Sequence, residues 1–141
     1  MRHFTTKEDL LLIIKDGFLR SLKEEGKEKG RVYFEEYHDN DYLLDFILSD
    51  ETKKHLTKDN YVSLFFDSTV LKQHDIKIEK STDLTKLETT IGIGTIFTKE
   101  EQSQIGDYYI VTNQNVPLQL STKETKKMLE GYNGFSNINI N

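Results

Sequence analysis

The sequence predicts an α+β fold: a single domain spanning residues 1–141, with helices packed on a mixed or antiparallel sheet. Three observations lead to this. The length of 141 residues suits one domain with one real core. Helix and strand patterns are interspersed, and several strand patterns follow one another late in the chain. There is no internal repeat and no linker.

A helix near the N-terminus is marked at both ends. Thr5 or Thr6 can cap its first turn, with an acidic residue three positions later, and Gly17 supplies the left-handed residue that ends it. The apolar block at 10–14 predicts that other elements cover most of the helix circumference. The apolar block at 10–14 is too short to span a bilayer, which argues against a membrane partner.

The later elements follow from their own patterns. Residues 61–66 (YVSLFF) form the clearest buried strand pattern, because aromatic and branched residues dominate it. A final polar helix is predicted at 122–130 and a weakly structured tail near 131–141. After the first helix we predict a flexible charged loop near 21–30, a strand at 32–35 and a helix that follows a cap near Asp39, with 51–56 as its extension or as a second short helix. After YVSLFF we predict a strand at 75–79, two helical turns at 82–88, and strands at 91–97 and 108–111.

Composition excludes several classes of function. The chain has no cysteine, which rules out disulfides, thiolate zinc sites and cysteine nucleophiles, and fits a reducing, cytoplasmic compartment. The formal net charge of -5 disfavours a nucleic-acid partner. The densest basic pairs, Lys53-Lys54 and Lys126-Lys127, are flanked by acids and are typical of solvated helix faces.

Common ligand motifs are absent or incomplete in the sequence. His38, His55 and His74 are spaced by 17 and 19 residues without an i, i+4 pair, so the spacing predicts no metal site. The IGIGT segment at 91–95 lacks the third glycine of a dinucleotide fingerprint, and a tight strand or bulge explains it better. No P-loop occurs.

Four short segments together resemble one enzyme superfamily. They are HFT at the start of the chain followed by a helix of the form L-x-x-I-x-x-G, VYFEE from Val32, YVSLFF from Tyr61, and DYYIVTNQNVPLQL from Asp107. This combination resembles the ADP-ribosyltransferase-like superfamily, especially its DarT-like and AbiGi-like branches. The resemblance implies a split sheet with NAD bound in its cleft.

The resemblance also implies roles for individual residues. His3 matches a histidine that hydrogen-bonds a ribose of NAD, and Thr5 follows it in the same cofactor-binding strand. Tyr33 or Tyr61 matches the aromatic residue that stacks on nicotinamide. The alternatives are that His3 is an exposed terminal histidine and that both tyrosines are ordinary core or cleft residues.

The catalytic glutamate of the superfamily has no counterpart at the matching position. Asp107 lies nearest to it and is the catalytic candidate. Its carboxylate would sit about 1 Å short of a glutamate's reach, which can cost on the order of 100-fold in rate. Glu100 and Glu101 lie a few residues earlier, but capping and dipole chemistry explain a TKEE sequence more simply.

Two functional hypotheses follow. The first is a non-catalytic or weakly catalytic ADP-ribosyltransferase-like module that binds a partner protein or a nucleotide. The second is an active NAD-dependent ADP-ribosyltransferase that modifies a macromolecular target. The branches that the chain resembles are associated with toxin-antitoxin and phage-defence systems, so the resemblance implies a role in such a conflict for either.

Overall fold

The computed structural model describes residues 1–20, 30–49, 55–81, 98–100 and 107–137. Single 3-10 turns occur at Lys58–Asn60 and Leu118–Leu120. The strands are β1 (Arg2–Thr6), β2 (Phe18–Leu19), β3 (Arg31–Glu35), β4 (Tyr61–Phe65), β5 (Glu79–Ser81), β6 (Tyr108–Thr112) and β7 (Val116–Pro117). The helices are α1 (Lys7–Asp16), α2 (Tyr42–Ser49), α3 (Ser68–Gln73) and α4 (Lys123–Leu129).

The main sheet has the strand order β4-β1-β3-β6-β5, and each described pairing in it is antiparallel. β1 pairs with β4 through five residues, and β3 pairs with β6 through five. β1 and β3 meet in register only at Arg2 and Glu35. The sheet is therefore split into two well-paired parts that are joined at one end. The fold is a single-domain α+β structure with an antiparallel sheet, as the sequence predicts.

Each face of the sheet packs against its own helices. Side chains alternate along a strand, so Val32 and Phe34 of β3 enter one core while Tyr33 enters the other. The first core contains buried residues of α1, α3 and α4, and the second contains the buried face of α2. α2 confirms the helix predicted after Asp39, and its buried face consists of four residues: Leu43, Leu44, Phe46 and Ile47.

The predicted ends of α1 are confirmed, whereas its predicted coverage is wrong. Thr6 Oγ1 accepts a hydrogen bond from the Asp9 backbone N–H at 3.1 Å, and Gly17 ends the helix with φ 86°. However, Leu11 and Leu12 are 56% and 61% exposed. Because α1 packs on one side of the sheet only, its apolar block is covered along a single stripe.

The central strands lie where the sequence predicts them, whereas the outer strands differ. β3 and β6 confirm the strands at 32–35 and 108–111, and α4 confirms the last helix. β4 coincides with YVSLFF but lies at an edge of the sheet, so Leu64 is its one buried residue. β5 begins at Glu79 rather than Asp75.

Some elements have no counterpart in the sequence prediction. α3 follows Asp67, whose carboxylate accepts a hydrogen bond from the Thr69 N–H at 2.8 Å. β2 and β7 form a separate two-stranded sheet. The predictions for 21–29, 51–54, 82–88, 91–97 and 138–141 lie outside the described residues, as does Glu101.

Candidate functional site: a cleft at the split of the sheet

A cleft of about 770 Å³ lies where β1 and β3 separate. β1 and β3 form its walls, α1 and β2 border it, and Tyr61 of β4 and Ile47 of α2 also line it. The gap exists because the pairing of β1 with β3 stops after Arg2 and Glu35. Beyond that pair, the main-chain N–H and C=O groups of β1 and β3 that face the gap must bond to partners other than the opposite strand.

His3 supplies one of those partners. Its Nδ1–H donates to the Tyr33 carbonyl oxygen at 2.8 Å, across the gap between β1 and β3. Its ring also lies 5.3 Å from the Tyr33 ring and 5.8 Å from the Phe34 ring, measured between centroids. Burial among these groups lowers the pKa of His3 to about 4, although the hydrogen bond to Tyr33 opposes this. His3 is therefore neutral at pH 7, and Nε2 carries a lone pair.

The two tyrosines, Tyr33 and Tyr61, line the same cleft. Tyr33 is buried. Burial raises the pKa of Tyr33 well above its usual range. Tyr61 is half-buried, and burial, with a smaller effect of the Asp9 charge, raises its pKa too. Both phenols are therefore protonated at pH 7.

A buried arginine holds the closed end of the split. Arg2 is 3% exposed, and its guanidinium bonds the Glu35 carboxylate and, at 2.9 Å, the Asp41 carboxylate. The same guanidinium lies 4.3 Å from the centroid of the Phe4 ring and 4.2 Å from that of Tyr37. Burial raises the pKa of Glu35 despite Arg2, whereas the hydrogen bond from Arg2 lowers the pKa of Asp41.

The charged residues that line the cleft are mostly basic, although the chain as a whole is acidic. Three cations, Lys15, Arg20 and Arg31, face two carboxylates, Asp9 and Asp16. Arg20 Nε lies 2.9 Å from Asp16 Oδ2, so that pair is neutralised. No carboxylate in the described ranges forms an ion pair with Arg31.

Four of the five residues nominated from the sequence lie together. His3, Thr5, Tyr33 and Tyr61 all line the cleft. Asp107 does not. Its carbonyl oxygen accepts a hydrogen bond from the Glu36 N–H at 3.2 Å, which places it three residues along β3 from Tyr33, or about 10 Å.

Two arginines of this region were not predicted from the sequence as functional residues. Arg2 and Arg31 are each the first residue of a strand, where the pattern of alternating apolar residues is only beginning and is a weak guide to which face of the sheet the side chain occupies. A signal for Arg2 exists in hindsight, because it shares the alternation of Phe4 and therefore its core-facing side. Nothing local marks Arg31, since its position depends on how β1 and β3 diverge.

Comparison with known proteins gives no relative: no family model, curated protein or solved structure matches the chain. Within the described ranges, no group of three or more His, Cys, Asp or Glu side chains is placed to hold a metal ion. No helix in those ranges has the length and apolar character needed to cross a bilayer.

Proposed function

We propose that the chain is a nucleotide-binding module of ADP-ribosyltransferase-like type, non-catalytic or weakly catalytic, which takes NAD or a related nucleotide into the cleft at the split of its sheet. The observation that carries this proposal is the position of His3, Thr5, Tyr33 and Tyr61 around one cleft. These residues come from three strands, β1, β3 and β4.

The chemistry of the cleft suits a nucleotide. Its volume lies within the range of about 300–1,000 Å³ typical of small-molecule sites. Neutral His3 offers an Nε2 acceptor, which matches a ribose hydroxyl donor. Tyr61 presents a half-buried aromatic ring, and aromatic rings stack on bases with about 1–3 kcal/mol each.

The lack of a suitable anion favours binding over catalysis. Among the described residues that line the cleft there is no glutamate, and Asp107 lies outside it. Asp16, one of the two carboxylates present, is already paired with Arg20. An active NAD-dependent transferase remains the alternative, and Asp9 is its remaining described carboxylate at the cleft. That enzyme would need a group to stabilise the charge that develops as nicotinamide leaves.

The setting of the proposed module rests on the resemblance and on composition. We place it in the cytoplasm, in a phage-host or toxin-antitoxin conflict, with a protein partner as its second ligand. The net charge of -5 supports a basic partner whose association weakens with salt. These parts of the proposal can fail while nucleotide binding stands.

Calorimetry with NAD tests the proposal. We expect the wild type to bind, and His3→Ala to weaken binding by about 1–3 kcal/mol, because a buried hydrogen bond is lost. His38→Ala is the matched control, since His38 is exposed and lies outside the cleft. The absence of binding at millimolar NAD, or equal affinity in the His3 and His38 variants, would contradict it.

A further inference from the structure

We propose that Arg31 is the phosphate-binding residue of the cleft, and that the cleft therefore selects ligands carrying a phosphate or diphosphate over neutral nucleosides. This inference rests on the proposed function and adds the class of ligand and the residue that selects it. The cleft has a local excess of positive charge, although the chain as a whole is acidic.

Arg31 is the cationic side chain of the cleft best placed for this role. Lys15 is exposed at the end of α1, and Arg20 is 66% exposed and paired with Asp16. Arg31 is half-buried and has no ion-pair partner in the part of the chain that the structure describes. An arginine of this kind presents its planar group of N–H donors to a phosphate, a geometry that favours bidentate binding.

The backbone holds Arg31 firmly at the cleft. It begins β3 and pairs with Thr112 of β6, while the preceding Gly30 carbonyl oxygen accepts a hydrogen bond from the Asn113 N–H at 3.2 Å. The backbone of Arg31 is therefore fixed by a central strand of the sheet.

Arg31 and Tyr33 are spaced so that a single ligand could contact both residues. Residues two apart on a strand lie on the same face, about 7 Å from each other. Arg31 thus lies one such step from Tyr33, whose carbonyl holds His3. A nucleotide that places its ribose at His3 and extends along β3 would bring its phosphate to Arg31, whereas a nucleoside carries no phosphate for Arg31 to bind.

Calorimetry with ADP-ribose, adenosine and inorganic pyrophosphate, on wild type and Arg31→Gln, tests the inference. We expect the variant to lose roughly tenfold to a hundredfold in affinity for ADP-ribose and pyrophosphate, and less than about twofold for adenosine. Lys72→Gln, an equal change of charge at an exposed site on α3, should bind as the wild type does. Thermal unfolding confirms that both variants are folded.

The outcomes separate the two proposals. Unchanged ADP-ribose affinity in Arg31→Gln would overturn the inference and leave the nucleotide site intact. Equal losses for adenosine and ADP-ribose would also overturn it, because Arg31 would then shape the cleft rather than bind phosphate. Pyrophosphate binding that depends on Arg31, without binding of NAD or ADP-ribose, would support the anion site and refute the nucleotide proposal. Binding of none of these ligands to the wild type would refute both.

Discussion

At the scale of single residues, His3 shows how one side chain replaces a strand pairing. Its Nδ1–H satisfies the Tyr33 carbonyl oxygen at 2.8 Å, a group that a neighbouring strand would otherwise satisfy. The bond keeps the gap open without leaving that buried acceptor unpaired, which would cost about 1–3 kcal/mol. It also fixes the ring, so that Nε2 is available to a ligand hydroxyl.

The lowered pKa of His3 makes the stability of the protein sensitive to acid. The unfolded chain takes up a proton near pH 6.5, whereas folded His3 takes it up at about 4. Between these values the unfolded state binds more protons. The free energy of unfolding therefore falls as the pH drops through this window, by up to about 1.4 kcal/mol per pH unit from this group.

Urea unfolding of wild type and His3→Asn at about pH 7 and about pH 5 measures this effect. The asparagine amide can still donate to Tyr33 but does not titrate, so we expect its loss of stability between the two pH values to be the smaller. His38→Asn serves as the control for an exposed histidine. Identical losses in wild type and His3→Asn would show that His3 does not resist protonation.

The residue patterns of the sequence identified His3, but they did not reveal how it is held. A histidine before a capped helix is visible in the sequence. The acceptor for its proton is a main-chain carbonyl 30 residues away, and the sequence carries no local sign of that contact. The ligand-binding role of His3 is a proposal that rests on the family resemblance, whereas its hydrogen-bond partner is seen only in the fold.

At the scale of elements, the side chain of Arg2 links β1 to β3 and to the start of α2 through hydrogen bonds. One guanidinium bonds Glu35 of β3 and Asp41, the residue before α2. Its Nη2–H also donates to the Asn40 carbonyl oxygen at 2.9 Å. Beyond this point β1 and β3 have no further register pair, so Arg2 marks the end from which the cleft opens.

We expect Arg2→Met to destabilise the protein by about 3–5 kcal/mol, because it leaves the buried Glu35 carboxylate without its partner. Arg2→Met combined with Glu35→Leu should recover most of that loss, since an apolar pair replaces the ionic one. Chemical denaturation of the single and double variants measures both effects.

The exposed pair of Arg20 and Asp16 supplies the comparison for this prediction. Arg20→Met should change the free energy of unfolding by less than about 1 kcal/mol, because the arginine is 66% exposed. A double variant at Arg2 and Glu35 no more stable than Arg2→Met would contradict the role assigned to the buried pair.

The sequence pattern of an element predicts that the element exists better than it predicts which other elements pack against it. The ends of α1 can be predicted from the sequence because Thr6 and Gly17 each act within one turn of the helix. The exposure of Leu11 and Leu12 cannot be predicted in this way, because it depends on which elements pack against α1. β4 was likewise recognised as a strand, but its aromatic composition gave no sign that it lies at an edge.

At the scale of the whole molecule, the split divides the sheet into a pair, β4-β1, and a triplet, β3-β6-β5. The cleft lies between these two parts, and its nominated residues come from both sides of the division: His3, Thr5 and Tyr61 from the pair, and Tyr33 from the triplet. Strand order is a property of long-range pairing. The sequence therefore predicted the class of fold, while the order of strands required the structure.

The position of Asp107 relative to that split yields the last prediction. Asp107 precedes β6, on the triplet side of the split, where its carboxylate lies 3.0 Å from Lys80 Nζ. It is thus beside the sheet edge formed by β5 and not in the cleft. We expect Asp107→Asn to leave NAD affinity within about twofold of wild type and to change stability by less than about 1 kcal/mol, as for other exposed ion pairs.

Cell extract with labelled NAD extends this test from binding to catalysis. If wild type and Asp107→Asn both label nothing, while His3→Ala loses NAD binding, the module binds nucleotide without transferring ADP-ribose. If both label a target equally, an active transferase uses a different anion, and Asp9→Asn is the variant to examine next. Labelling by wild type that Asp107→Asn abolishes would contradict the present placement of the site, because a residue about 10 Å along the sheet from Tyr33 would then stabilise the transition state.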